Sequence, residues 1–259
     1  MKLWDKNNLS NEKIIEFTVG DDRSNDLHLI KYDIKASISH AKMLYKSNIL
    51  TEIECNKITT ILSEMLNEAE AGKLKIEKEF EDMHSKIEYL LTKKLGDIGK
   101  KIHTARSRND QVLVSIQLYL IDELNCIKTE IKSLFELLID LAKKNKDIIM
   151  PGYTHMKAAM PSSFGLWFSA YAETLIDDII TLNSTIKIVD QNTLGSAAGY
   201  GTSFKIDRYF TTQDLNFKTL KYNSLACQIS RNKIEKNTFD AIGNIAFTLS
   251  KISMDICLY

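Results

Sequence analysis

A chain of 259 residues, 44% hydrophobic and 26% charged, is long enough for one large domain or two smaller ones around a sizeable core. Lysine plus arginine and aspartate plus glutamate both number 34, so the formal net charge is zero and a general role on nucleic acid or an anionic membrane is excluded. No uninterrupted apolar run has the length of a membrane span, Met1-Lys2-Leu3-Trp4-Asp5 is no signal peptide, and Cys55, Cys126, Cys227 and Cys257 form no CxxC pair, which points to reduced core thiols in a cytoplasmic protein.

In chain order, the first patterned stretch runs from Tyr32 to Ala71 with helical periodicity, and Gly72 is its predicted stop. The polar knot Glu81-Asp82-Met83-His84 reads as a helix start. His103 to Gln111 is polar except for Ala105, and between Asn109 and Met150 there is neither Gly nor Pro. There Leu113, Ile116, Leu120, Leu124, Ile127, Ile131, Leu134, Leu138 and Leu141 step by three and four residues. That stripe predicts a helix far longer than the ordinary ~11–12 residues.

A second stripe follows Pro161 through Phe164, Phe168, Tyr171, Leu175, Ile179, Leu182, Ile186 and Val189, and a third runs through Ile234, Ile242, Ile245, Leu249, Ile252 and Ile256. The segments between them, Met150 to Pro161 with both prolines and Thr193 to Arg208 with three of the ten glycines, read as loops, and no strand is predicted. The fold class is therefore all-α, with long helices burying their stripes against one another. The third stripe is still in period at Tyr259 with no stop signal, which reads as a piece of a longer protein.

The stretch Arg106-Ser107-Arg108-Asn109-Asp110-Gln111 admits two readings. Asn109 or Asp110 is the N-cap of the long helix and the arginines are solvated or ion-paired. Alternatively, the unpaired N–H groups of the helix start join Arg and Asn donors to hold a carboxylate or phosphate. Thr154-His155 poses the same choice, between an ordinary hydrogen-bonded imidazole and a group that moves a proton near neutral pH. The glycines of 195–201 lack the GxxxxGK[ST] pattern, so a nucleotide P-loop is rejected, and backbone freedom between helices is their plain reading.

Taken together and in order, "HTARSRNDQ", "PGYTHMKAAMP" and "GSAAGYGTSFKIDR" resemble argininosuccinate lyase, a family of the fumarase/aspartase superfamily. The resemblance runs from "KLW" at Lys2 through "EDMH" at Glu81 to "KISMDICLY", and the RSRND stretch favours this family over its fumarase and adenylosuccinate lyase relatives. It implies β-elimination of argininosuccinate to arginine and fumarate, in arginine biosynthesis, without metal or organic cofactor. It also implies a cytoplasmic homotetramer whose active sites are shared between subunits.

The fold it implies is the superfamily's long-helix bundle, with residues 1–108 as an N-terminal helical domain and 109–259 as a central bundle whose C-terminal part is missing. Carried over by motif, His155 is the acid/base histidine or its immediate partner. Asn109 and Thr154 bind substrate, Ser107 and Arg108 shape the same anion pocket, and His84 stands in its wall. The alternatives are a catalytically incomplete helical remnant, or a related lyase acting on adenylosuccinate.

The chain departs from the family pattern in having Ala105 where Gly is usual and Lys157 where Gln is usual. The family's N-terminal substrate-binding serine has no clear counterpart, Asp22 lying nearest its place. The mobile loop that carries the family's catalytic serine is expected beyond Tyr259.

Overall fold

The computed structural model describes residues 17–259, so the "KLW" segment and the opening five residues lie outside the described residues. Helices dominate. They are α1 (Asp22–Lys46), α2 (Glu52–Glu70), α3 (Met83–Leu95), the single turn α4 (Asp97–Lys100) continued by a 3₁₀ turn (Lys101–His103), and α5 (Arg108–Lys144). After them come α6 (Phe164–Val189), α7 (Arg208–Asp214), α8 (Ser224–Ile229) and α9 (Lys233–Leu258). The three stripes thus become α5, α6 and α9.

The described residues form two compact units, one comprising residues 17–120 and 190–231, the other residues 121–189 and 232–259. In the first, α1 and α2 pack on each other and on α3 around Ile30, Ile34, Leu44, Ile58, Leu62, Ile87 and Leu91, all nearly or wholly buried. The single helix expected from Tyr32 to Ala71 is two helices. Asn48, at φ +58°, closes α1 with the paired bonds Ile49 N–H to Leu44 O and Asn48 N–H to Tyr45 O. Thr51 and Glu54 then open α2 with a reciprocal capping box. Gly72, at φ +66°, ends α2 in the same way as Asn48 ends α1, where the sequence places the stop.

In the second unit α6 and α9 pack side by side, burying Ala172, Leu175, Leu182 and Val189 against Ile234, Ala241, Ile245 and Ile252. Inside that seam the Thr248 hydroxyl donates to Asp178 Oδ2 at 2.7 Å. On α5, Leu124, Ile131 and Leu138 recur every seven residues and are buried. By length and composition α9 is apolar enough to cross a membrane, with only 22% of the relevant window buried.

The segment read as a loop between α5 and α6 is a two-stranded antiparallel hairpin, β1 (Ile149–Thr154) and β2 (Lys157–Ser163), with Pro151 facing Pro161. Prolines are tolerated there because every strand of a two-stranded ribbon is an edge. A second, minimal strand pair, β3 (Gln191–Asn192) and β4 (Thr219–Leu220), is parallel. All four cysteines are free, but only Cys55 and Cys227 are core residues; Cys126 and Cys257 are exposed, because they face outward on their helices.

Candidate functional site

The start of α5 explains why its polar residues stand where they do. The Ser107 N–H donates to Asp110 Oδ1 at 2.9 Å, and the Asn109 N–H donates to Ser107 Oγ at 3.3 Å. Ser107 is therefore the N-cap, with Asp110 reaching back to it; neither Asn109 nor Asp110 takes that position.

Asp110 is wholly buried, and its second oxygen accepts the N–H groups of Gly195 at 2.9 Å and Ala197 at 3.0 Å. One carboxylate therefore ties the helix start to the glycine loop. Burial raises the Asp110 pKa above the ordinary carboxylate value, against the pull of its three backbone bonds. Gly195 sits at φ +86°, and a β-carbon there would lie 2.8 Å from Arg208 Cγ. On the loop's other side Gln228 Nε2 donates to Ser196 Oγ at 3.1 Å and to the Ala197 carbonyl at 3.0 Å.

Arg108, the first residue of α5, faces the start of α3. Its guanidinium pairs with the Asp82 carboxylate and donates to Ser85 Oγ at 3.0 Å. Asp82 is also the N-cap of α3, accepting the Ser85 N–H at 2.7 Å. Its pKa falls: burial works against the charge, but His84, the Ser85 bond and Arg108 outweigh it.

His84, on the buried side of the same turn, has Nδ1 at 3.1 Å from Asp33 Oδ2 of α1. Asp33 in turn accepts both bonds from Gln111 Nε2, at 2.8 and 3.0 Å. Burial disfavours both charges, yet the pairing prevails, holding the His84 pKa above its ordinary value and the Asp33 pKa below its own.

Arg106, also buried, donates to Ser37 Oγ at 2.8 Å. His40 Nε2 donates to the Thr104 carbonyl at 2.9 Å, which fixes the neutral tautomer. Burial and the Arg106 cation push the His40 pKa down to about 3.

Asn109 is half-buried. Its backbone carbonyl accepts a bond from Arg231 Nη2 at 3.3 Å, while its carboxamide has no hydrogen-bond partner among the described residues. His84, Ser107, Arg108 and Asn109 thus share the first unit.

Thr154 and His155 belong to the second unit and are exposed. His155 and Met156, at φ +51° and +62°, form the two-residue turn that joins β1 to β2, with Thr154 paired to Lys157. His155 is thus at the far tip of a hairpin and not at the mouth of α6, which starts at Phe164 with Ser163 Oγ accepting the Leu166 N–H. Among the described residues no group of three or more His, Cys, Asp or Glu side chains is placed to hold a metal ion.

Sequence reasoning did not single out Asp33 or His40, and it read Gln111 only as part of the polar opening of α5. A signal for the first two was present: Asp33, Ser37 and His40 recur at helical spacing on the α1 face that also carries Ile30, Ile34 and Ala41. Polar groups on a core-facing stripe need partners, and those of Asp33 come from α3 and α5 while those of Ser37 and His40 come from the segment just before α5.

A family model described as lyase matches residues 14–259. The chain is 48% identical over its full length to argininosuccinate lyase of Phocaeicola vulgatus and 43% identical over its full length to argininosuccinate lyase of Thermotoga neapolitana. It spans 58% and 65% of those two proteins' lengths. Among solved structures it is similar to an EDDS lyase variant with bound fumarate, at a TM-score of 0.81 and 24% identity, over 89% of this chain and 45% of that one. A fumarate lyase from Mesorhizobium sp. BNC1 gives a TM-score of 0.74 and 20% identity over 93% and 57%.

Proposed function

Because the chain belongs to the lyase family, we propose that it supplies the donor side of a site that cleaves argininosuccinate to arginine and fumarate, in arginine biosynthesis. The observation that carries this reading is the Asn109 carboxamide. It is left without an internal partner at a helix start where Ser107, Arg108 and Asp110 are each engaged with neighbouring protein groups, in a chain 48% identical to an argininosuccinate lyase.

In the elimination, a base removes the proton next to the distal carboxylate of the succinyl group. The electron pair forms the new C=C bond, the C–N bond breaks, and the departing guanidinium nitrogen keeps that bond's electrons and takes up a proton. Negative charge builds on the carboxylate beside the carbanion. Donors already aimed at it lower the barrier, each contributing on the order of 2–4 kcal/mol. Asn109 and Thr154 bind substrate in this reading. Ser107 and Arg108 shape the pocket, Arg108 by holding Asp82 and Ser85 in place, and His84 stands in the wall. His155 carries the proton, or directly assists the group that does.

The exposure of Thr154 and His155 supports a site completed by further protein surface, in keeping with a homotetramer with shared sites. The same reading makes the protein a soluble, cytoplasmic, cofactor-free enzyme that binds neither nucleic acid nor membrane. The test is fumarate release from argininosuccinate beside adenylosuccinate, with the protein expressed from its whole gene. Release from argininosuccinate, lowered by about 2–4 kcal/mol in kcat/KM in Asn109→Ala, supports the reading. Release from adenylosuccinate alone moves the substrate to the related lyase, and release from neither favours the helical remnant.

A further inference from the structure

We propose that Asp33 is a positioning residue that holds His84 as a buried cation, so that the imidazolium offers its remaining N–H to a substrate carboxylate. The inference rests on the reading of His84 as part of the pocket wall.

Its geometric basis lies within the first unit. His84 and Asp33 are 2% and 0% exposed, and Nδ1 stands 3.1 Å from Oδ2. The Nδ1 atom is sealed from solvent and meets Asp33 as an ion pair rather than as a well-aligned hydrogen bond. Nε2 has no acceptor among the described residues, so the ring keeps one N–H uncommitted.

Asp33 is itself held rigidly. Gln111 Nε2 donates to both of its oxygens, and Ser115 Oγ lies 3.4 Å from Oδ1. Gln111 lies two residues beyond Asn109 on α5, so the brace on Asp33 and the proposed substrate donor belong to one turn of one helix. The dyad thus couples the α3 start to the α5 start through a side chain of α1.

The surrounding charges favour the cationic ring. From α1 come Asp33 and Asp26, the latter accepting the Met83 N–H at 2.8 Å; from the start of α3 comes Asp82. Against them stands Arg108, which lowers the proton affinity of His84, while Arg106 helps to keep Asp33 ionised. Asp33 and Asp82 outweigh Arg108 and the cost of burial. Without Asp33, burial and Arg108 would act against Asp82 and Asp26 only, and the proton affinity of the ring would fall.

The test combines nitrogen-detected NMR titration of the His84 ring with a double-mutant cycle in the whole protein. In the wild type His84 should titrate above the ordinary value of 6.5. In Asp33→Asn it should titrate below it, and KM for argininosuccinate at pH 6.5 should rise by about tenfold, the loss of roughly one charge-assisted contact. In a His84→Gln background, adding Asp33→Asn should leave KM unchanged within about twofold.

A wild-type His84 that titrates below 6.5 overturns the proposal, and that measurement needs no variant to fold. An equal KM penalty from Asp33→Asn with and without His84 also overturns it, making Asp33 a structural residue only. Failure of the wild-type protein to turn over argininosuccinate would sink the functional reading, while the titration still decides whether the dyad carries the charge.

Discussion

Asp110 and Gly195 lie 85 residues apart in the chain and 2.9 Å apart in space, the carboxylate of the α5 start accepting the backbone N–H of the glycine loop. With Ala197 and Ser107 bonded to the same side chain, three backbone donors depend on one acidic group. An amide in its place keeps one oxygen and turns the other into a donor facing a donor. Asp110→Asn should therefore destabilise the protein by about 1–3 kcal/mol, through orphaned N–H groups. Urea unfolding checks it; an unchanged midpoint would mean that water replaces the lost acceptor.

His40 makes stability depend on pH with a definite sign. Its folded pKa is about 3 against an ordinary 6.5, so the unfolded chain binds a proton that the folded chain refuses. The stability of its neutral form is complete above pH 6.5 and is lost as pH falls towards 3. From pH 6.5 to 5 the loss is about 2 kcal/mol, at ~1.4 kcal/mol per unit. Wild type minus His40→Gln stability should therefore shrink by that amount between pH 7 and pH 5. His84, with its raised pKa, has the opposite slope: its contribution is present below 6.5 and lost as pH rises through the folded value. A gap between wild type and His40→Gln that stays constant with pH would show that His40 charges in the folded state.

Asn tolerates the left-handed conformation that His155 adopts at φ +51°, so His155→Asn preserves the hairpin turn. Stability should change by less than about 0.5 kcal/mol, because the side chain is exposed. Turnover of argininosuccinate should nevertheless fall by at least ~100-fold. Activity within about threefold of wild type would remove His155 from the chemistry.

Gly99 has no room for a side chain. A β-carbon there would lie 2.5 Å from the backbone carbonyl carbon and oxygen of Leu91 and 2.8 Å from the Thr92 nitrogen. These are backbone atoms inside α3 and cannot swing aside, so Gly99→Ala should cost at least ~2 kcal/mol. A thermal melt reads it directly. A change of less than about 0.5 kcal/mol would mean that α4 can slide away from α3.

The sequence by itself determined the long helices, because a stripe at spacing three and four is a local property that each helix satisfies with its own backbone. It also marked the Gly72 stop and the polar opening of α5, since caps are satisfied within a few residues. The Asn48 stop and the Thr51–Glu54 box were equally local and equally readable, and the apolar period running across them concealed the break between α1 and α2.

The hairpin was not legible, because its turn residues, His155 and Met156, carry none of the Gly or Asn chemistry that announces such a turn. Nor could the chain alone say that Asp33 meets Gln111 across 78 residues, or that Asp110 holds the glycine loop. Those partners are chosen by burial. A carboxylate inside a packed unit must find donors wherever the fold brings them, and only the packing of α1, α3, α5 and the glycine loop decides which donors those are.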